Sequence, residues 1–168
     1  MKIKGMIVLL AVSACSAATP PPAAKRAPKP AASATATVAG KVCKLDIAGS
    51  DAMQYDKKEL SIAAVCKVVQ LTLRHTGKLP ISAMGHNWVL TKTADATAVN
   101  NAGLTVGVAK NHVPPGDQRV IAFTSLVGGG QTTSVSFPTT GLAKGGDYTF
   151  FCSFPGHIGL MRGKFIVQ

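Results

Sequence analysis

Eight short runs of strand-forming residues, at 42–48, 53–62, 66–74, 86–92, 119–124, 131–137, 147–152 and 163–168, limit what this chain can fold into. Turn-forming residues separate most of them, among them Gly49-Ser50, Thr76-Gly77, the glycines at 128–130 and Gly145-Gly146. Runs this short cannot bury their apolar faces alone. They must pair into sheets and the sheets must stack, which predicts an all-β, Greek-key β-sandwich of about eight strands. The composition agrees: 17 glycines and only 5% aromatics in 168 residues suit a turn-rich β chain better than a helical bundle. The stretch 93–113, with its alanines and asparagines, fits no strand pattern and reads as one short helix outside the sheets. Trp88 follows His86 by two residues, so a period of 2 puts both on one inward face.

Within this frame one stretch carries chemistry. Residues 148–161, YTFFCSFPGHIGLM, place Cys152, His157 and Met161 within ten residues. Alternation up to Cys152 reads as a strand, and Pro155-Gly156 breaks it into a loop. Singly, these would be an inert buried thiol, a surface imidazole and core filler. Together they offer a thiolate, an imidazole and a thioether to one small volume, which suits a soft or borderline metal. Two His and one Cys in a trigonal arrangement, with a long axial Met, form the blue-copper electron-transfer site. The loop supplies three of the four, and His86 in MGHNWVL is the candidate for the second His.

The N-terminus carries a different message. Basic Lys2 and Lys4 precede an apolar stretch at 6–12, so residues 1–14 read as a signal peptide. The stretch is too short to span a bilayer. It leads into Val12-Ser13-Ala14-Cys15, which resembles the bacterial lipobox, with Cys15 as the lipidated first residue of the mature chain. The alternative is cleavage nearby and a soluble periplasmic protein. Ser16 is compatible with outer-membrane sorting. Residues 16–40 are small, Pro-rich and acid-free, and cannot form a core. We read 15–40 as the lipidated Cys and a semi-extended tether, at about 3.1 Å per residue in the polyproline limit.

The net charge of +11 invites a nucleic-acid reading. Residues 41–168 hold 13 Lys/Arg against all 7 acids, so the surplus is a mildly basic surface plus the tether's Lys25, Arg26 and Lys29. No stretch interleaves aromatics with basic residues as stacking platforms require, so nucleic acid is rejected. Solubility, or attraction to an acidic partner or anionic lipid, accounts for the charge.

Cysteine parity adds a constraint. With Cys15 set aside, Cys43, Cys66 and Cys152 remain, and an exported chain meets an oxidising compartment. One disulfide leaves one thiol over, and spacing alone does not exclude Cys66 with Cys152.

Residues 41–168 resemble the azurins, bacterial blue-copper proteins of the cupredoxin family. The resemblance rests on CKLDIAGSDAMQY, LRHTGKLP, MGHNWVLT, DQRVIAFTSLVGGG and YTFFCSFPGHIGLMRGKF, in order and with that family's spacing. It implies a Cys43–Cys66 disulfide, worth roughly 3 kcal/mol in the loop-entropy model. It implies His86, Cys152 and His157 as strong copper ligands, Met161 as the weak axial one and the Gly85 carbonyl as a second, distant axial contact. It implies that Asn87 ties the His86 strand to the ligand loop. It further implies an apolar patch around His157 for partner docking, formed by Met53, Leu79, Met84, Leu104, Phe154, Pro155, Gly159 and Leu160. His75 matches a partly buried His of the family and is read as a satisfied structural residue, and His112 as a surface residue before a Pro-Pro turn. Phe123 and Ile158 depart from the usual pattern without touching the ligand set. The anchor and tether resemble those of lipid-modified azurins.

The function expected is a type 1 copper electron carrier in the bacterial envelope, cycling one copper between Cu(I) and Cu(II), and not an enzyme. A copper oxidase or nitrite reductase needs a second copper centre, which His75 and His112 cannot build. A copper buffer would favour open Met/His-rich sites, and the chain has 5 Met and 4 His. The partners expected are redox proteins such as cytochromes, oxidases or reductases, with the membrane reached through lipid; no small-molecule substrate is expected.

Overall fold

A computed structural model of the chain describes residues 40–168. The signal peptide, Cys15 and all but the last residue of the tether lie outside the described residues. Among the described residues, no helix is long and apolar enough to cross a membrane.

Among the described residues, nine strands form two sheets. The strands are β1 (Val42–Ser50), β2 (Gln54–Tyr55), β3 (Glu59–Ile62), β4 (Val68–His75), β5 (Val89–Lys92), β6 (Val120–Phe123), β7 (Thr132–Pro138), β8 (Tyr148–Phe151) and β9 (Arg162–Val167). One sheet runs β2-β1-β4-β7 and the other β3-β9-β8-β5-β6. Both are mixed: β1 pairs β4 and β3 pairs β9 in parallel, while the remaining neighbours are antiparallel. The expected sandwich is therefore present, with one strand more than the sequence pattern indicated.

The extra strand comes from 53–62, expected as one run. Met53 takes a positive φ of 53°, and Asp56 binds Ala48 through both its backbone N–H and its carboxylate, at 2.9 and 2.8 Å. The chain turns there and passes from the first sheet to the second, so β2 and β3 are separate. Regular pairing likewise starts at Val89 rather than at residue 86. His86 instead exchanges two 2.9 Å backbone hydrogen bonds with Val127.

The helix expected within 93–113 is α2 (Ala96–Val106), flanked by 3-10 turns; a four-residue helix, α1 (Ile81–Met84), was not foreseen. The apolar residues Ala96 and Val99 of α2 pack on Val89, Val113 and Phe151, covering the outer face of the second sheet. Strand β8 is therefore buried on both faces, which explains its unbroken apolar YTFF.

The main core lies between the sheets. Val69, Leu71 and Leu73 point inward from β4 against Trp88, Phe150 and Phe165, all 1% exposed or less. Trp88 stacks at 5.9 Å on Phe137 and 6.1 Å on Phe150. It is core, as period 2 predicted. Cys43 and Cys66 form a disulfide at one end of β1 and β4. Gly49 and His75 are paired at the other end, where the chemistry collects.

Candidate metal centre

Two segments that precede or leave the second sheet meet at this end. Residues 84–88 lead into β5, and residues 152–161 connect β8 to β9. The second is a tight turn. His157 N–H donates to the Phe154 carbonyl at 3.0 Å, and Leu160 and Met161 N–H both donate to the His157 carbonyl, at 3.0 and 2.8 Å. Cys152 N–H donates to the Met161 carbonyl at 2.9 Å and closes the loop on itself. This geometry turns Cys152, His157 and Met161 towards one point although they span ten residues.

The result is a buried cluster. One donor atom each from His86, Cys152 and His157 lies within 4.8 Å of the others. Cys152 Sγ is 3.5 Å from His157 Nδ1, 4.0 Å from His86 Nδ1 and 3.8 Å from the Gly85 carbonyl oxygen. Met161 is fully buried beside them. Gly49 makes room: a Cβ there would lie 2.8 Å from the His86 ring and 3.2 Å from the Met161 methyl. Gly85 is required for a related reason. Its Cβ would meet the Ile81 carbonyl at 2.7 Å and the Leu126 side chain at 2.9 Å, so close packing, rather than an unusual φ, excludes a side chain.

The donor set fits a soft cation on its own chemistry. His86 Nε2 faces the Ser50 carbonyl at 2.9 Å. A carbonyl only accepts, so the ring proton belongs on Nε2 and the lone pair on Nδ1. That lone pair lies 3.0 Å from another acceptor, the Gly85 carbonyl. A neutral imidazole cannot donate to both, and burial lowers the His86 pKa, which disfavours the doubly protonated ring. A metal ion held by Nδ1 together with Cys152 and His157 would resolve the mismatch. His157 is likewise held neutral: burial, followed by the nearby His86 and His75 rings, lowers its pKa to about 4. Burial pushes the Cys152 thiol up to about 12, against backbone hydrogen bonds from Asn87 and Phe154 that favour the thiolate. The metal-free site thus holds two unprotonated imidazole nitrogens and a thiol, and a metal must displace one proton.

Asn87 sits where the family pattern expected it, and its bonds are now explicit. Its Nδ2 donates to Ser153 Oγ at 2.8 Å and to the Asn111 carbonyl at 2.7 Å, and its Oδ1 accepts from Ser153 N–H at 2.9 Å. The neighbour of Cys152 is thereby bound to the neighbour of His86. Ser153 and Asn111 escaped sequence reasoning, because a serine beside a cysteine and an asparagine in a loop carry no pattern of their own. So did Tyr55, whose buried hydroxyl donates to the Asn87 carbonyl.

His75 stacks on His86 at 4.2 Å, near parallel. Its Nδ1 accepts from Gly77 N–H at 3.0 Å and its Nε2 faces the Met84 carbonyl at 2.7 Å. One neutral tautomer satisfies both, so it has the structural role expected. His112 corrects its expectation: it is 7% exposed, not a surface residue, and sits edge-on to Phe154 at 5.6 Å. The cause is Gly103 in α2, where a Cβ would fall 2.1 Å from the His112 carbonyl; without it the helix lies down on residues 111–113. Of the expected apolar patch, Leu79, Leu104, Pro155, Gly159 and Leu160 are exposed, while Met53, Met84 and Phe154 are half-buried. Ile81, not foreseen, is 37% exposed. His157 itself is only 2% exposed.

Comparison with known proteins agrees with this geometry. Residues 41–168 match the family model described as copper binding proteins, plastocyanin/azurin family. The azurin of Bordetella pertussis is 52% identical over 129 residues, covering 77% of this chain and 86% of that protein. Azurin-1 of Alcaligenes xylosoxydans xylosoxydans is 52% identical over 121 residues, covering 72% and 94%. Among solved structures, an azurin (Az-iso2) from Methylomonas sp. strain J superposes with a TM-score of 0.73 at 43% identity, covering 75% of this chain and 98% of that one.

Proposed function

The chain belongs to the plastocyanin/azurin family of copper-binding proteins, an electron-transfer protein and not an enzyme, and from that premise we propose how its residues hold copper and where it works. His86 Nδ1, Cys152 Sγ and His157 Nδ1 would hold the copper as its three strong ligands, with Met161 and the Gly85 carbonyl as weaker contacts. The observation that carries this reading is the convergence of those three donor atoms within 4.8 Å, all on buried residues. Bound there, copper supplies a one-electron Cu(II)/Cu(I) couple.

The protein's part is to keep the ligands still. The Ser50 carbonyl orients His86, the Asn87–Ser153 bonds lock the two ligand segments together, and the ring of His75 backs that of His86. Ligands that do not move between oxidation states leave little to rearrange, which favours outer-sphere transfer. The donor residues are all buried, so a copper held by them would be shielded by the chain and offer no open position to a substrate. His157 lies beneath the exposed Pro155, Gly156, Gly159 and Leu160, and is the route by which the electron leaves. The apolar surface around it, with Leu79, Ile81 and Leu104, is the docking face for redox proteins.

Residues 1–14 export the chain, Cys15 carries lipid, and 16–40 tether the domain of 41–168 on the periplasmic side of the envelope, at the outer membrane. What supports this is sequence alone: the basic start, the short apolar run and the cysteine that follows it.

The test uses the full chain carrying Cys15→Ser, loaded with Cu(II), with a Cys152→Ser companion. An intense blue absorption with narrow copper hyperfine splitting, bleached reversibly by a reductant and absent in the companion, is the expected result. A colourless protein, or a copper signal indifferent to Cys152, overturns the ligand assignment. Metabolic labelling with a radioactive fatty acid tests the anchor separately: label in the wild type and none in Cys15→Ser is expected.

A further inference from the structure

We infer that the basic flank beside the ligand turn, formed by Lys58, Arg162 and Lys164, is where an acidic redox protein docks. The inference rests on the electron-carrier reading above and adds the side of approach and the charge of the partner.

The observation behind it is a contact across 102 residues of sequence. Lys58 Nζ donates to the Leu160 carbonyl at 2.7 Å. Leu160 belongs to the turn between His157 and Met161 and is 51% exposed. An ammonium group is therefore held at the rim of the face through which the electron leaves, not waving free in solvent. The backbone places two more cations beside it. The Lys58 carbonyl accepts Lys164 N–H at 2.9 Å, and β3 and β9 pair in parallel with Glu59 opposite Lys164. Arg162 and Lys164 are two residues apart on β9, hence on one face, and both are exposed. Gly163 between them allows the approach, since a Cβ there would fall 2.4 Å from the Lys58 carbonyl.

Charge compensation is incomplete on this flank. Three cations face one acid, Glu59, and no ion pair joins it to any of them among the described residues. Lys57, nearby, is spent on Asp56 at 2.7 Å. Lys78, next to Leu79 of the apolar face, is in a turn pinned by Asp51, whose carboxylate accepts Lys78 N–H at 2.8 Å and offsets the charge there. The electrostatic field around the exit is therefore lopsided. A partner bearing carboxylates would be steered to the Lys58 side, where contact with Leu160 brings its own centre closest to His157. A lipid surface could also answer to these cations, but it cannot accept an electron from the face they border.

Two measurements test this on the full chain carrying Cys15→Ser. The first is stopped-flow electron exchange between the copper-loaded chain and an acidic c-type cytochrome, over a range of salt. The triple variant Lys58→Gln, Arg162→Gln, Lys164→Gln should keep its blue absorption and exchange roughly tenfold more slowly at low ionic strength, converging on the wild type as salt screens the attraction. The control Lys78→Gln should lose less than half as much on a logarithmic scale. The second is an NMR titration of the metal-free chain with the same cytochrome, in which amide shifts should concentrate at residues 58–59 and 160–164. A triple variant as fast as wild type, a control that slows as much, or shifts centred elsewhere would overturn the inference. So would a triple variant whose only loss is binding to phosphatidylglycerol vesicles. A chain that takes up no copper, or exchanges with no donor in any variant, would overturn the carrier reading as well and so is told apart from these.

Discussion

The two ends of this sandwich are both cross-linked, but by opposite means. At one end a single covalent bond, Cys43–Cys66, joins the starts of β1 and β4. At the other, Gly49, His75, His86, Cys152 and Met161 are gathered by hydrogen bonds, ring stacking and close packing. The disulfide acts on the unfolded chain, whose entropy it restricts. The ligand end acts on the folded one: it fixes atoms to within the tolerance that a metal needs. One end contributes stability without specificity of position, and the other position at some expense of stability, since buried imidazoles and a buried thiol resist charging.

If that division is right, the ends can be broken separately. The largest effect comes from Cys43→Ala with Cys66→Ala. Removing the 23-residue link should lower the unfolding free energy of the metal-free chain by roughly 3 kcal/mol in denaturant titration, while the copper-loaded protein keeps its blue absorption and its reduction potential. A shifted potential would show that the ends communicate and would break the comparison.

Between pH 6.5 and 4, above the range in which the carboxylates titrate, acid sensitivity should belong to the ligand end. His157 is held neutral with its pKa lowered to about 4, and burial lowers His86 in the same direction. The unfolded chain binds protons at these rings below about 6.5, where the folded chain does not, so stability of the metal-free protein falls as pH drops from about 6.5 towards 4. For His157 the loss is roughly 2–3 kcal/mol. The thiol bounds the other side: with Cys152 pushed up to about 12, the unfolded chain ionises first, and stability falls as pH climbs above about 9. Thermal unfolding of the metal-free His157→Gln variant between pH 7 and 4 should show most of the acid slope removed. An unchanged slope would place the sensitivity elsewhere.

The contrast also explains what could be read in advance. The ligand loop was legible because one segment carries three soft donors, and a tight turn can bring neighbours in sequence together without help from the rest of the fold. The sheet architecture was legible from turn spacing. What was not legible depends on long-range register. His75 backs His86 only because β1 and β4 pair in parallel with Gly49 opposite His75. The switch between sheets at 56–58 falls in the charged stretch Asp56-Lys57-Lys58-Glu59, across which the alternation of 53–55 resumes out of phase at 60–62, a break the strand reading of 53–62 passed over. His112 looked exposed because Pro114 and Pro115 follow it, and its burial hangs on a missing Cβ in a helix nine residues away. The disulfide end, in turn, was legible from the family pattern and not from spacing.

Smaller effects sharpen the claim that hydrogen bonds, not the metal, build the site. Asn87→Ala removes three of them, leaves Ser153 N–H without its buried partner and leaves the Asn111 carbonyl with Ser153 Oγ alone, at 3.3 Å. About 2 kcal/mol of stability should be lost. Copper release to a chelator should quicken, because the two ligand segments are no longer joined. A variant that releases copper at the wild-type rate would mean that the metal alone holds the segments.

The smallest effect isolates one bond. Tyr55 sits in β2, is 4% exposed and packs on Phe150, with ring centres 5.7 Å apart. Its hydroxyl donates to the Asn87 carbonyl, so it grips from behind the same residue whose side chain holds Ser153. Burial raises its pKa well above the ordinary range, so the hydroxyl stays a donor through any pH at which the protein works. Tyr55→Phe keeps the ring, and thus the packing, and deletes only the donor. The carbonyl left behind is buried and loses its partner, which should cost about 1 kcal/mol. The spectrum should stay blue, since no ligand has moved far, but copper release should fall between the wild type and Asn87→Ala. Combining the two substitutions decides between models. If Tyr55 acts by positioning Asn87, the double variant releases copper no faster than Asn87→Ala alone. If the effects on release add in full, Tyr55 supports β2 independently and the ligand end is held from two sides rather than through one residue.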